Sequence, residues 1–130
     1  MICAAAMVLL VSCGSSGQIM DGDGMLNSYQ TISQEEAAYM MTVIDGHIVV
    51  DVRTYDEYNE GHIPTAVCIP NESIIEGEMP EELPDKDQII LIYCRSGNRS
   101  KQAAEKLFSM GYTKVYEFGG IKDWTGDIEY

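Results

Sequence analysis

The sequence predicts a three-layer α/β domain, and three observations carry that prediction. Short runs rich in β-branched residues alternate with stretches of helical spacing. The longest run, Ile89-Ile90-Leu91-Ile92-Tyr93, has no polar break, as expected of a strand covered on both faces. It stops at Cys94 and passes through a small polar and cationic segment into Ala103, Ala104, Leu107 and Phe108, which recur at helical spacing with Lys101, Glu105, Lys106 and Ser109 facing away. A cysteine at the C-terminal edge of a central strand, feeding a helix start, occupies the position where open α/β sheets bind ligands.

Residues 1–12 are apolar but too few to span a bilayer as a stable helix, so they read as a signal peptide although no Lys or Arg precedes them. Leu10-Val11-Ser12-Cys13 resembles a bacterial lipobox, which implies cleavage before Cys13 and lipidation of that residue. Residues 13–28 then form a lipid-anchored linker that begins with the flexible Gly14-Ser15-Ser16-Gly17. On this reading the protein is exported and held at the bacterial cell envelope, touching the membrane only through its lipid. Asp21-Gly22-Asp23-Gly24 lacks the later ligands and closing Glu of a calcium loop.

The folded domain is expected over residues 29–130. Tyr29 to Ile32 is a short first strand, and Ser33-Gln34-Glu35-Glu36 is a capping box that opens a helix through Ala37, Ala38, Met40 and Met41. Asp45-Gly46 turns the chain into the strand Ile48 to Val52. Thr54-Tyr55-Asp56-Glu57 is a second capping box, for a short helix that Gly61 ends. Ala66 to Ile69 is a strand stopped by Pro70. The acidic stretch from Glu72 to Asp87 reads as a solvated loop, with Pro80 and Pro84 bracketing a short helical piece. The helix after Cys94 is placed at 100–110 and ended by Gly111; Val115 to Phe118 is the last strand, and Ile121 to Trp124 a closing helical turn.

The 130 residues suffice for one domain with a real core. A net charge of −13 argues against nucleic acid as a partner, because a polyanion needs a basic face. No metal is expected: His47 and His62 are fifteen residues apart without a ligand set around them. No Cys-x-x-Cys spacing or disulfide framework is present, and Cys68, inside a strand, reads as an inert core thiol.

Cys94 reads differently. Amides at a helix start stabilise a thiolate, and Arg95 and Arg99 add full charges that would push the thiol below its free value of about 8.5. Gly97 and Asn98 tolerate backbone angles that let several N–H groups converge on one point.

Cys94-Arg95-Ser96-Gly97-Asn98-Arg99-Ser100 resembles the active-site loop of rhodanese-like domains. Upstream, Asp51-Val52-Arg53, Glu57-Tyr58, Gly61-His62-Ile63-Pro64, Ala66 and Ile69-Pro70 are similar to the family's other signature, and Gly119-Gly120-Ile121 with Trp124 to its closing motif. Thr65 departs from the pattern, which usually has Gly or Asn there. The resemblance implies a largely parallel five-stranded sheet with helices on both faces and a sulfurtransferase that carries sulfur as a Cys94 persulfide. Its donor would be a small anion, thiosulfate or a persulfide, and its acceptor a thiol, cyanide or a protein. Arg95 and Arg99 would hold the donor, and the amides of Ser96, Gly97, Asn98, Arg99 and Ser100 the terminal sulfur. His62 is expected to be structural, and Asp51 with Arg53 an internal ion-pair network rather than an acid and an anion clamp. No cofactor is expected, and the protein is expected to be a monomer.

Two alternatives stand beside this. A phosphatase or arsenate reductase on the same fold would need a roomier loop, whereas here Arg99 falls five residues after Cys94. A non-catalytic binding or sensing module would typically lack the cysteine.

Overall fold

A computed structural model describes residues 28–130. Residues 1–27, with the expected signal peptide, Cys13 and nearly all of the linker, lie outside the described residues. The elements run β1 (Gln30–Thr31), α1 (Gln34–Val43), β2 (Ile48–Asp51), α2 (Tyr55–Asn59), β3 (Val67–Cys68), β4 (Ile90–Cys94), α3 (Asn98–Ser109) and β5 (Val115–Gly120). The strands form a five-stranded sheet in the order β1-β5-β4-β2-β3, with every neighbouring pair parallel.

Burial on both faces explains why β4 is apolar throughout: all five of its residues are buried. On one face Ile90, Ile92 and Cys94 pack with Val50, Val115 and the α3 residues Ala103, Ala104 and Leu107. On the other, Leu91 and Tyr93 pack with Val49, Phe118 and Ala37 of α1, with Tyr58 and Trp124 against them. Helices therefore cover both sides of the sheet, and the three-layer expectation holds.

Both capping boxes form. Ser33 accepts from the Glu36 amide and Thr54 from the Glu57 amide, and each glutamate returns the bond to its cap residue's N–H. The stretch between Pro80 and Pro84 is a single turn, closed by the Leu83 amide on the Pro80 carbonyl, rather than a helical piece. A 3₁₀ turn forms instead at Asn71–Ser73. The acidic loop is exposed along its carboxylates but pinned by buried Ile74 and Leu83, and the Tyr112 hydroxyl donates to the Leu83 carbonyl at 2.6 Å. Lys106 does not point away into solvent; its Nζ reaches back to the Asn71 carbonyl at 2.8 Å.

Candidate active site

Cys94 ends the central strand and is 1% exposed. The chain then turns through Arg95, Ser96 and Gly97 into α3, with Gly97 as N-cap at φ +113°, a conformation that favours glycine. The turn brings the Gly97 N–H to 3.0 Å from the Cys94 Sγ, and the thiol lies 3.6 Å from the Ser100 Oγ. Burial pushes the thiol up, but the Ser100 hydroxyl and the amides of Ser100, Gly97 and Ser96 outweigh it and hold the thiol below its ordinary value. The amides expected from the sequence contribute to this effect, and the Ser100 hydroxyl, rather than arginine charge, leads the groups that lower the thiol.

Backbone packing fixes the loop from behind. A Cβ on Gly120 would lie 1.9 Å from the Arg95 carbonyl oxygen and 2.5 Å from the Ser96 nitrogen, so only glycine lets β5 pass there. The Lys122 amide donates to the same Arg95 oxygen at 3.2 Å. Gln34, from α1, secures the end of β5 through its Nε2 donating to the Gly120 carbonyl at 2.8 Å. The closing Gly119-Gly120 motif is thus the bed on which the cysteine loop lies.

The predicted loop residues separate into distinct places. Arg95, Ser96 and Asn98 are exposed, Gly97 and Ser100 are buried, and Arg99 is intermediate. Arg99 is not free: its Nη1 and Nη2 donate to Glu57 Oε1 and Oε2 at 2.8 and 3.1 Å, forming a two-pronged pair. The Arg99 bond, helped by the Thr54 amide and hydroxyl, pulls the Glu57 carboxyl down to about 2 despite partial burial. In the sequence Glu57 is legible as a capping residue and as part of the family signature, but not as the partner of Arg99.

Behind the thiol lies a second residue that sequence reasoning passed over. Glu117 is 0% exposed; its Oε1 accepts from Ser100 Oγ at 2.8 Å and from the Gly119 amide at 2.9 Å, and Lys101 Nζ lies 3.7 Å from its Oε2. Its position carried a signal, because strand alternation puts Glu117 on the same face as core residue Val115.

Asp51 and Arg53 form the expected internal network. Arg53 Nε and Nη2 donate to Asp51 at 3.0 and 2.7 Å, Nη2 also donates to the Gly61 carbonyl at 2.7 Å, and the Tyr93 hydroxyl donates to Asp51 at 2.7 Å. Tyr93 accepts in turn from the Ile63 amide at 3.0 Å. His62 stacks on Tyr58 at 3.8 Å between ring centroids and bonds the Tyr58 carbonyl through Nδ1 at 3.0 Å, a structural placement. Cys68 pairs in register with Asp51, on the sheet face opposite Cys94, and burial leads in raising its thiol to about 11. Among the described residues no group of three or more His, Cys, Asp or Glu side chains could hold a metal ion.

Comparison with known proteins returns one family, the rhodanese-like domain, matched over residues 33–127. Thiosulfate sulfurtransferase PspE of Escherichia coli (strain K12) is 39% identical over 74 residues, which cover 57% of this chain and 70% of that protein. Adenylyltransferase and sulfurtransferase UBA4 of Candida albicans is 34% identical over 90 residues, covering 64% of this chain but only 20% of that longer protein. Among solved structures, a rhodanese from E. coli determined with anions superposes with a TM-score of 0.58 at 34% identity, covering 64% of this chain and 96% of that one.

Proposed function

The chain belongs to the rhodanese-like domain family, and on that footing we propose that it moves sulfane sulfur from an anionic donor to a nucleophile through a persulfide on Cys94. The observation that carries the reading is the Gly97 amide 3.0 Å from a thiol held below its ordinary value. With thiosulfate as donor, the Cys94 thiolate attacks the outer sulfur. A Cys94 S–S bond forms, the donor's S–S bond breaks, and sulfite leaves with the bonding pair. The terminal persulfide anion then faces the loop amides, which favour it as they favour the thiolate. A thiol, cyanide or protein nucleophile attacks that terminal sulfur, the Cys94 S–S bond breaks, and the thiolate returns.

Arg99 supplies positive charge beside this path, and a donor anion meets it by sharing the guanidinium with Glu57. Arg95, exposed at the start of the loop, is the second cation a donor would encounter. Wild-type protein treated with thiosulfate is expected to gain the mass of one sulfur atom and to lose it to cyanide, read by intact mass spectrometry. Cys94→Ser should gain none while keeping its fold by circular dichroism. Arg99→Ala should slow loading by roughly tenfold or more, the loss of a charge-assisted contact worth about 1.5–3 kcal/mol. Hydrolysis of a phosphate ester by the wild type with no sulfur uptake would move the assignment to the phosphatase reading.

We also propose that Cys13 is the mature N-terminus and carries lipid, supported by the lipobox resemblance and the Gly/Ser tether after it. Cys13→Ser should release the protein from membranes of a bacterial host. Retention of that variant, with an unmodified wild type by mass spectrometry, would overturn this.

A further inference from the structure

The Ser100 hydroxyl has one proton and several acceptors around it. Its Oγ lies 2.8 Å from Glu117 Oε1, 2.9 Å from the Gly97 carbonyl, 3.4 Å from the Gly119 carbonyl and 3.6 Å from Cys94 Sγ. The two carbonyls are neutral. The other two acceptors become anions on ionisation, and the hydroxyl can donate to only one of them at a time.

We propose that Glu117 is a positioning residue that competes with Cys94 for the Ser100 proton, so that its carboxylate weakens the hold of the Ser100 hydroxyl on the Cys94 thiolate and its removal strengthens that hold. This rests on the reading of Cys94 as the working thiol. When Ser100 donates to the Glu117 carboxylate, its Oγ turns a lone pair toward sulfur and accepts from the Cys94 S–H. When the hydroxyl turns instead to the sulfur anion, the carboxylate keeps the Gly119 amide and the Thr31 hydroxyl as donors. No electron transfer occurs: the Cys94 thiol gives its one proton to solvent as the hydroxyl reverses direction, and the carboxylate is unchanged.

Other groups around the pair set the balance. Lys101 on α3 lies 3.7 Å from Glu117 Oε2, and Thr31 on β1 donates to the same oxygen at 3.3 Å, so Oε1 is the oxygen that faces Ser100. The Tyr29 phenol, pushed up first by burial and then by Glu117 and Glu105, stays neutral over the working range. Arg99, paired with Glu57 at the mouth, is the cation that senses Cys94. None of these supplies the thiolate with a second hydroxyl, so Ser100 remains the contested donor.

The test is the pH titration of the Cys94 ¹³Cβ shift in full-length protein labelled at cysteine, assigned by its loss in Cys94→Ser. This reads the buried thiol directly and requires no sulfur transfer, so the persulfide assay can fail while the coupling holds, and the reverse. Glu117→Gln should lower the Cys94 midpoint by about one pH unit or more, the scale of a removed like charge. The shift should shrink when Ser100→Ala is already present, because the shared hydroxyl is gone. Glu117→Met, which fills similar volume without charge, gives the same reading if the glutamine variant does not fold. A purely structural Glu117 would leave the midpoint where it is. A midpoint in Glu117→Gln equal to or above that of the wild type overturns the proposal.

Discussion

Two carboxylate–arginine pairs flank the cysteine strand, with similar chemistry and different surroundings. Asp51–Arg53 is closed, with side chains 0% and 7% exposed; Glu57–Arg99 is open, at 26% and 27%. Arg53 spends its donors on Asp51 and the Gly61 carbonyl, and Asp51 also accepts from Tyr93, so that pair ties β2, β4 and the turn before β3 into one frame. Arg99 keeps an edge in water and lies beside the loop that ends at Ser100. Burial decides which arginine builds the frame and which can meet an anion.

The comparison breaks first at Asp51. Asp51→Asn should cost about 3–5 kcal/mol in urea or thermal denaturation, because Arg53 is left as a buried charge without its carboxylate. A loss below about 1 kcal/mol would put the two pairs in the same class. A smaller effect of opposite sign is expected in the turn that the framework pair helps to hold. Thr65 sits at φ +71° in the turn Ile63–Ala66, closed by the Ala66 amide on the Ile63 carbonyl at 3.0 Å. With Pro64 before it, this is a type II turn whose third position favours Gly or Asn. Thr65→Gly should raise stability by about 1 kcal/mol, strain relieved less the entropy of an unfolded glycine. A loss of stability would show that the turn holds no strain.

The open pair gives smaller changes, and they depend on pH. The Glu57 carboxyl is lowered to about 2 when folded, so its contribution is complete above the ordinary carboxylate value and is lost as pH falls through about 2. Glu57→Gln should therefore cost under about 1 kcal/mol near neutrality and nothing at the acid end, by denaturation across pH. The same variant frees Arg99, so thiosulfate loading should quicken while a neutral donor is unaffected; a slower loading would mean that Glu57 aims Arg99 rather than occupies it. The smallest effect is that of salt. Capture of an anionic donor should weaken as salt rises, since Arg95, Arg99 and Lys101 lie nearer the site than most of the carboxylates behind the charge of −13. An on-rate that rises with salt would mean that the global charge prevails.

Much of this is legible in the sequence alone. Strand β4, the two capping boxes and the loop from Cys94 to Ser100 announce themselves through periodicity, local hydrogen-bond chemistry and motif, all of which act over a few residues. The partners of the site residues did not. Glu57 and Arg99 are 42 positions apart, and Ser100 and Glu117 are 17 apart. Nothing in a linear pattern says which glutamate a tertiary contact will select. Glu117 was further masked because a carboxylate in a strand suggests a solvated face, while parallel pairing and α3 buried it completely. The helical piece expected between Pro80 and Pro84 failed for a local reason: five residues bounded by two prolines close one turn and lack the length to propagate.

The absent side chain at Gly120 reaches further than the packing it permits. A single methyl there would collide with the carbonyl and amide of the loop itself, at 1.9 and 2.5 Å, and not with a side chain able to swing aside. The ring of amides around the sulfur is therefore clamped between its own helix and the last strand, and its circumference is counted in residues rather than in side-chain volume. Exchange of residues between Cys94 and Ser100 can retune charge and reactivity but cannot widen the ring. More room at the sulfur therefore requires a change in the path of the loop backbone, not an exchange of side chains.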